Sequence, residues 1–396
     1  MSSLHRLLSY SLVLFAALSS PAFAAERFPI HAWIGVPADQ TTAARYKELA
    51  DCGFTSSFSS FPNVKSTAAA LDIAQAAGIK LFISLPELAA NPEATARQFM
   101  NHPALGGYHL QDEPSAADFP RLAKWLDRIE AVDKSHPCYI NLFPTYANAQ
   151  QLGCPTYQEH VDRFIREVPV PFISFDHYPI VGRQIRGDWY QNLEIIRNAS
   201  LKSQKPFWAF CLSVAHGPYP VPTIAHLRLQ AFSDLAYGAQ CIQYFTYWTP
   251  VDSNWNFHDG PIDAKGHRTA TYALVKQMNA EIQGLAPVFL GGRILSVAHT
   301  GHQPSGTIAY KPAEPVKSLQ TDGSGGLVSL LAKSDQRYLA IVNRDIAAPM
   351  ALKITFDPAV SIRCVDKAGT SKPIPNAAYS TRIDPGDICL FAWPAR

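Results

Sequence analysis

Several motifs that mark common classes of enzyme are missing from this sequence. Its seven cysteines include no CxxC pair, and no HxH, HExxH or G-x-S-x-G spacing occurs. These absences argue against a zinc site, a thioredoxin-type redox centre and an α/β-hydrolase serine nucleophile. We therefore expect no metal and no cofactor. The cysteines are predicted to be buried thiols, with a bridge between Cys138 and Cys154 as the alternative.

Charged residues are scarce as well. Asp, Glu, Lys and Arg make up 17% of the chain, the formal net charge is +2, and no basic run occurs. This composition gives no reason to expect nucleic acid or an anionic membrane surface as a partner. A neutral or weakly charged partner is predicted instead.

Long apolar runs are absent except near the start of the chain. A weakly basic segment precedes the apolar run Leu7–Leu18, and an A-x-A cleavage site ends at Ala24. This pattern predicts a signal peptide over residues 1–24, cleaved before Ala25. The alternative, a membrane anchor, is less well supported because the run is shorter than the roughly 20 residues that a bilayer requires. The mature protein is therefore expected to be periplasmic or secreted.

Residues 25–286 alternate short β-rich runs with helical patterns. The predicted strands are Ile30–Val36, Phe54–Ser60, Lys80–Leu85, Leu105–Gln111, Cys138–Phe143, Phe172–Phe175, Phe207–Leu212 and Cys241–Tyr247. The helical patterns include Thr41–Ala50, Ala68–Ala77, Phe119–Val132, Val161–Glu167, Trp189–Ser203, Ile224–Tyr237 and Thr269–Ile282. Such alternation predicts parallel strands, and eight units predict closure into a (β/α)8 TIM barrel of the α/β class.

The pattern changes after Pro287. Residues 287–396 contain alternating strands separated by Asp-Gly and Pro-Gly turns, namely Gly326–Ala332, Tyr338–Asn343, Met350–Phe356, Ile362–Val365 and Ile388–Trp393. They predict a small antiparallel β-sandwich. We expect this domain to cap the barrel and bury apolar area in preference to binding sugar.

The segment LGGYHLQDEP, residues 105–114, is the strongest functional signal. An apolar strand runs into Asp112 and Glu113, and Pro114 then ends it. In a (β/α)8 barrel the chemistry lies where strands end, so these carboxylates are predicted to be catalytic. The alternative is a helix N-terminus capped by Ser115, with the acids favouring the helix dipole.

Polar and aromatic side chains follow the other predicted strands. They include Trp33, Glu87, Asn141, Tyr146, Asp176, His177, Tyr178, Ser213, His216 and Trp248, with Asp252, Asn254, Trp255, His258 and Asp259 in the last loop. Indoles cover the apolar C–H face of a sugar while carboxylates and amides bind its hydroxyl groups. From this composition we predict a sugar-binding mouth whose substrate contacts are Trp33, His109, Asn141, His177, Tyr178, Trp208, Trp248 and Trp255.

Four strand-end segments, HLQDEP, FDHYP, PFWAF and YFTYWTP, together resemble the barrel of clan-A-type glycoside hydrolases. The nearest comparison is the N-terminal domain of family-42-like β-galactosidases, over residues 28–284. The resemblance implies that Glu113 is the acid/base on the fourth strand, with Asp112 in the position usually held by asparagine. It also implies that Tyr178 matches the tyrosine of the sixth strand, and that Trp248 lies under the sugar.

One position departs from this resemblance. Clan-A enzymes carry a glutamate nucleophile at the end of the seventh strand, whereas Trp208–Ser213 contains no carboxylate. Glycosidic cleavage normally needs two carboxyl groups, so the second must come from elsewhere. Asp176 is the first choice, with Glu87 and Asp259 in reserve. Glu113, beside the ionised Asp112 and under aromatic walls, is expected to have a raised pKa.

Three functions remain open from the sequence. The leading prediction is an exported glycoside hydrolase that acts on neutral or weakly charged oligosaccharides, with Glu113 as general acid. Because the seventh-strand glutamate is missing, a second hypothesis is a non-catalytic carbohydrate-binding protein on a hydrolase-like barrel. A lyase or esterase that uses Ser213 is the third, and only His216, three residues further on, supports it.

Overall fold

The structure is a computed structural model that describes residues 27–252 and 254–395. The predicted signal peptide, residues 1–24, lies outside the described residues. Within the described part, no helix combines the length and the apolar character that a membrane span needs.

Eight parallel strands close into a barrel, as predicted. They are β1 (Ile30–Trp33), β2 (Ser56–Ser60), β3 (Lys80–Ser84), β4 (Leu105–Asp112), β5 (Cys138–Leu142), β6 (Ile173–Phe175), β9 (Phe207–Leu212) and β10 (Cys241–Phe245). Their order around the barrel is β1-β10-β9-β6-β5-β4-β3-β2, and every neighbouring pair is parallel. The seventh and eighth barrel strands are therefore β9 and β10, because a small hairpin of β7 (Ile180–Val181) and β8 (Gln184–Ile185) follows β6.

Helices connect the barrel strands. They are α1 (Ala43–Asp51), α2 (Val64–Ala77), α3 (Pro86–Ala90), α4 (Pro92–Phe99), α5 (Phe119–Glu130), α6 (Ala149–Leu152), α7 (Tyr157–Glu167), α8 (Trp189–Ser203), α9 (Ile224–Tyr237) and α10 (Ala270–Phe289), with a 3-10 turn at Ala38–Gln40. The predicted bounds of α8 and α9 are confirmed. Threonine or asparagine side chains cap most of the longer helices at the N-terminus, and left-handed Gly78 and Gly238 end α2 and α9.

Aromatic side chains fill the barrel interior. Trp33, Phe58, Phe82, Tyr139, Phe172 and Phe210 form one buried cluster inside the ring of strands. Around the strands, apolar faces of the helices supply a second, larger core. Because the interior is packed, the space for a ligand lies above it, at the carboxyl ends of the strands.

Antiparallel sheets follow the barrel, as predicted. One sheet has the order β11-β13-β14-β19-β16-β17 and the other β12-β15-β18. Their strands are β11 (Arg293–His299), β12 (Val316–Thr321), β13 (Gly326–Lys333), β14 (Gln336–Asn343), β15 (Met350–Phe356), β16 (Arg363–Val365), β17 (Ser371–Pro373), β18 (Ala378–Ile383) and β19 (Ile388–Pro394). Side chains of both sheets share one buried cluster, which includes Leu352 and Phe391.

All seven cysteines are free thiols, so the alternative of a Cys138–Cys154 bridge is wrong. Cys138 lies buried in β5, and the thiol of Cys154 contacts the backbone carbonyl groups of Leu152 and Thr156. The thiols of both residues are thus occupied by packing or by local backbone contacts.

Candidate active site

The end of β4 presents Asp112 and Glu113 at the mouth of the barrel. Asp112 lies beside Asn141 of β5 in the strand register, and the Glu113 backbone N–H donates to the Asn141 carbonyl at 2.9 Å. Glu113 has a φ of 44°, in the left-handed region that disfavours side chains with a Cβ. Such a backbone persists only when its surroundings hold it, and it is typical of functional sites.

A pocket of about 410 Å3 opens at this mouth. Its size falls in the range of small-molecule sites. It is lined by Trp33, Asp112, Glu113, Asn141, Tyr146, Asp176, Tyr178, Arg186, Phe210, His216, Pro218, Tyr219, Phe245, Trp255 and Phe257.

Three carboxyl groups, those of Asp112, Glu113 and Asp176, line the pocket, and the Asn141 amide joins two of them. The Asn141 side-chain nitrogen donates to Asp112 Oδ1 at 3.1 Å and to Asp176 Oδ1 at 3.0 Å. These two oxygens can therefore be no further apart than the sum of the two distances. Asp176 is almost completely buried, Glu113 is partly buried, and Asp112 is open to the pocket.

A buried hydrogen-bond network in the barrel interior fixes the orientation of the Asn141 amide. Ser174 Oγ donates to Asn141 Oδ1 at 2.8 Å and accepts from Gln243 Nε2 at 2.9 Å. The Tyr139 hydroxyl donates to Gln243 Oε1. Because the Asn141 oxygen accepts from Ser174, its NH2 group must face the two carboxyl groups.

The surrounding protein limits the contact of all three carboxyl groups with water, and this desolvation raises the pKa of each. Burial, followed by repulsion from Asp112, raises the pKa of Glu113 from 4.5 to about 7. Although Asp112 is exposed to the pocket as a residue, the protein packed around its carboxyl group keeps water from it and raises its pKa to about 6, against the opposing hydrogen bond from Asn141. The pKa of Asp176 is well above its usual value, because of burial and then of repulsion from Glu113 and Asp112. The pocket therefore holds protons at neutral pH that exposed carboxyl groups would release.

Aromatic rings form another part of the pocket wall. Trp255 is 52% exposed, and its indole lies 6.1 Å from the His216 ring. Its carbonyl accepts from Gly217 N–H at 3.1 Å, which ties the loop after β10 to the loop after β9. The ring of Phe257 lies 4.6 Å from that of His216. An indole presented in this way offers a face on which the C–H surface of a sugar can lie.

His109 and Trp208 were predicted to contact substrate, but neither lines the pocket. The His109 ring lies inside the barrel, 4.2 Å from Phe58 and 5.1 Å from Trp33, and burial lowers its pKa to about 3. Trp208 is the second residue of β9 and stacks on Phe172 at 3.8 Å, at the opposite end of the barrel. Both side chains point into the barrel, but below the level of the mouth.

His177 and Trp248 also lie away from the pocket lining. The His177 ring is buried behind the wall, 4.9 Å from Tyr146, with Nε2 3.5 Å from Asp188 Oδ1. Trp248 packs outside the strands against α1, where the Arg45 guanidinium lies 5.2 Å from its ring. Trp248 therefore does not line the pocket, and its predicted place under a sugar stays a prediction.

The reserve acids and Ser213 are not part of the pocket either. Glu87 lies in the first turn of α3, and Asp259 pairs with His258 at 2.8 Å. Ser213 Oγ is buried and donates to the Thr246 carbonyl at 2.9 Å, so it is not presented as a nucleophile. In the described chain, no group of three or more His, Cys, Asp or Glu side chains is arranged to hold a metal ion.

Sequence reasoning missed several wall residues. Arg186, Phe210, Tyr219, Phe245 and Phe257 line the pocket without having been predicted. Phe210 and Phe245 could have been found as side chains near the ends of β9 and β10. Arg186 and Tyr219 lie in βα loops, where the sequence carried no periodic signal.

Comparisons with known proteins agree with this architecture. A family model described as β-galactosidase, of the glycoside hydrolase 42 type, matches residues 128–285, less than half of the chain. A search of the curated proteins found no match.

Among solved structures, the β-galactosidase from Bacillus circulans sp. alkalophilus is 10% identical, with a TM-score of 0.60 over 93% of this chain and 99% of that chain. A GH27 β-L-arabinopyranosidase from Geobacillus stearothermophilus is 8% identical, with a TM-score of 0.52 over 93% of this chain and 96% of that chain. The β-galactosidase from the psychrophilic Marinomonas ef1 is 11% identical, with a TM-score of 0.47, over 65% of this chain and 60% of that chain.

The chain thus spans less than two thirds of the length of that last relative, and at these identities the solved structures show likeness of fold alone. The predicted resemblance is confirmed at that level: the chain resembles TIM-barrel glycoside hydrolases, with family-42 β-galactosidases as the matching sequence family.

Proposed function

We propose that the protein is an exported glycoside hydrolase that cleaves O-glycosidic bonds of oligosaccharides. The observation that carries this proposal is the group of three carboxyl groups that shares one pocket with an exposed indole at the mouth of the barrel. Cleavage of a glycosidic bond needs one protonated and one ionised carboxyl group. The family match over residues 128–285 supports this reaction class. Export rests on the signal-peptide pattern of residues 1–24.

Glu113 is the proposed general acid. Because burial and Asp112 raise the pKa of Glu113 to about 7, this carboxyl group is protonated in a large share of the protein molecules at neutral pH. That proton passes to the glycosidic oxygen as the bond from this oxygen to the anomeric carbon breaks and its electron pair moves to the leaving oxygen. An acid whose pKa lies near the working pH is well matched to this task.

Asp176 is the proposed second carboxyl group. Its carboxylate attacks the anomeric carbon or removes a proton from the water that does so. The hydrogen bond from Asn141 favours its ionised form, which opposes the effect of burial. Repulsion between Asp176 and Glu113 also means that a proton on Glu113 makes ionisation of Asp176 easier. Asp112, which is open to the pocket, accepts hydrogen bonds from sugar hydroxyl groups.

Turnover of aryl glycosides and oligosaccharides by the purified mature protein tests the proposal. Glu113→Gln and Asp176→Asn should each lower kcat at least about 100-fold, because each removes one proton-transfer or nucleophilic group. Glu87→Gln and Asp259→Asn are matched controls, since these acids lie outside the pocket lining. Full activity in Glu113→Gln with an intact fold would contradict the proposal.

The configuration of the released sugar assigns the role of Asp176. Retention, together with azide rescue of Asp176→Ala, identifies a nucleophile, whereas inversion identifies a base that activates water. Proton NMR of the first minutes of hydrolysis reads the anomer directly.

One observation favours a second candidate function, a carbohydrate-binding protein without turnover. The end of β9, where clan-A enzymes carry their nucleophile, presents Leu212 and the buried Ser213. This candidate predicts saturable binding in calorimetry with no reducing ends released from any glycoside in the panel.

A further inference from the structure

A small insertion in the barrel brings one positive charge to the pocket. The β7–β8 hairpin interrupts the loop between β6 and α8, and Arg186 directly follows it. The backbone N–H of Arg186 donates to the Pro179 carbonyl at 2.7 Å, and the backbone N–H of Gly182 donates to the Pro218 carbonyl at 3.0 Å. These bonds tie the hairpin to itself and to the loop after β9, so the position of Arg186 is fixed.

Two tyrosines hold the Arg186 side chain in the pocket wall. Its guanidinium carbon lies 4.3 Å from the centre of the Tyr146 ring and 5.9 Å from that of Tyr219. Nη2 donates to the Tyr219 hydroxyl at 3.2 Å. A guanidinium placed against aromatic faces loses little further freedom when it binds a ligand.

Among the described residues, Arg186 has no carboxylate partner of the kind that Arg128 and Arg228 have. Arg128 donates through Nε and Nη2 to Glu93, and Arg228 donates through the same two nitrogens to Glu281. Within residues 27–252 and 254–395, no ion pair includes Arg186, and its Nε is buried without a hydrogen-bond partner. It is also the one arginine or lysine among the described lining residues. A partly buried guanidinium with an unused donor fits an anion supplied by a ligand.

His216 adds a second unused polar atom to this part of the wall. Its ring lies 4.7 Å from that of Tyr219, the residue that Arg186 also contacts, and its Nδ1 is buried without a hydrogen-bond partner in residues 27–252 and 254–395. Tyr219 thus lies between two side chains that each keep one buried nitrogen, Arg186 Nε and His216 Nδ1, without a hydrogen-bond partner among the described residues. The three carboxyl groups of the pocket are bound to Asn141 or repel one another, and none of them neutralises Arg186.

We propose that the pocket selects glycosides that carry a carboxylate, that is, a uronic acid unit whose carboxylate binds Arg186. The planar guanidinium presents parallel N–H donors that match the two oxygens of a carboxylate. This inference rests on the proposed function and names its substrate class. It differs from the expectation, based on net charge, of a neutral or weakly charged partner.

Aryl hexuronides and their methyl esters, in both anomeric forms, test this selectivity, because esterification removes the charge and keeps the sugar. The wild type should hydrolyse a hexuronide with a kcat/KM at least about tenfold above that of its ester, since a hydrogen bond to a charged group contributes roughly a 10- to 100-fold effect. Arg186→Gln should reduce this ratio to near one, and Arg186→Lys should leave an intermediate ratio. Arg183→Gln, which removes an exposed arginine of the same hairpin, is the matched control and should keep the wild-type ratio.

Calorimetry with Glu113→Gln separates this inference from the proposed function. Binding of a uronic-acid disaccharide that is lost in Glu113→Gln/Arg186→Gln, without turnover by the wild type, would support the inference and contradict the hydrolase. Turnover of neutral glycosides with no preference for uronides would support the hydrolase and overturn the inference. A preference for sulfated over carboxylated glycosides would also overturn the assignment to a uronate.

Discussion

At the scale of single residues, Asn141 connects the fold to the proposed chemistry. Its amide contacts both Asp112 and Asp176, while Ser174 and Gln243 fix its orientation from the barrel interior. Sequence reasoning placed Asn141 at the mouth because it ends a strand. It could not find the orientation, which depends on side chains from β6 and β10.

Replacing this amide should change the pH dependence of catalysis. Asn141→Leu keeps the size of the side chain and removes the hydrogen bond that opposes the effect of burial on the pKa of Asp176. The acidic limb of the kcat/KM profile, where Asp176 ionises, should move to higher pH by roughly one unit. The maximal rate should fall about tenfold or more as the carboxyl groups lose their alignment.

Asn279→Leu is the matched control for this profile. Asn279 is a buried asparagine in α10 whose amide donates to the Cys52 carbonyl at 2.9 Å, away from the pocket. It should lower stability and leave the position of the acidic limb unchanged. If Asn141→Leu lowered the maximal rate but left the acidic limb of the kcat/KM profile at the same pH, Asn141 would not be a positioning residue for Asp176.

Glu113 should make the protein less stable as pH rises. Its pKa is raised from 4.5 to about 7 in the folded state, so between these values the folded chain holds a proton that the unfolded chain has released. The stabilising contribution of this proton is complete below pH 4.5 and is lost as pH rises through 7. The free energy of unfolding of Glu113→Gln should therefore exceed that of wild type by about 3 kcal/mol at pH 8 and should equal it near pH 4.

Urea unfolding at several pH values checks this prediction. Glu159→Gln removes an exposed carboxylate of α7 and serves as the control, which should show no such divergence from wild type. If the free energy of unfolding of Glu113→Gln differed from that of wild type by the same amount at all pH values, proton linkage would not be the cause of the difference.

At the scale of elements, eight strands and the longer helices were predictable because each carries a clear pattern. The β7–β8 hairpin was not, since strands of two residues have no measurable period. The sequence also did not predict how far below the mouth of the barrel each inward-pointing side chain lies. Trp208 and Phe210 both point into the barrel, yet two residues along β9 separate the lower packing layer from the pocket. Such depth depends on barrel closure and strand stagger, which a single sequence does not contain.

Two tryptophans should therefore respond in opposite ways to substitution. Trp208→Leu removes an indole stacked on Phe172 and should lower the free energy of unfolding by about 2–4 kcal/mol, with KM little changed. Trp255→Ala removes a half-exposed indole at the pocket and should raise KM about 3- to 10-fold without lowering the melting temperature. Thermal unfolding and initial rates, measured on both variants, decide the matter. A raised KM in a stable Trp208→Leu would contradict the position assigned to Trp208.

At the scale of the whole molecule, the antiparallel sheets are joined to the barrel by close backbone contact and buried charge. Arg228 of α9 pairs with Glu281 of α10 at 2.5 Å and with Asp387, beside β19, at 3.1 Å. Lys367 lies 2.5 Å from the same Asp387 carboxylate. The sequence predicted a capping domain from the change of period after Pro287. It could not predict the contact surface, because these partners are far apart along the chain.

Gly284 of α10 offers the sharpest test of that contact. A Cβ at this position would lie 2.2 Å from the Lys367 carbonyl oxygen and 3.0 Å from Ala368 Cα, so the helix and the loop after β16 touch through their backbones. In a helix without this neighbour, Gly→Ala stabilises by about 1 kcal/mol. Here Gly284→Ala should instead destabilise by about 1–3 kcal/mol, because the backbone must move to admit the methyl group.

The exposed Ala280 of the same helix supplies the baseline, since Ala280→Gly reports the helix propensity alone and should destabilise by about 1 kcal/mol. If Gly284→Ala raised the urea midpoint by the amount that Ala280→Gly lowers it, the sheets would not press on α10. Loss of stability in both variants, with a single cooperative transition, would show that the barrel and the sheets unfold together and that their contact lies at Gly284.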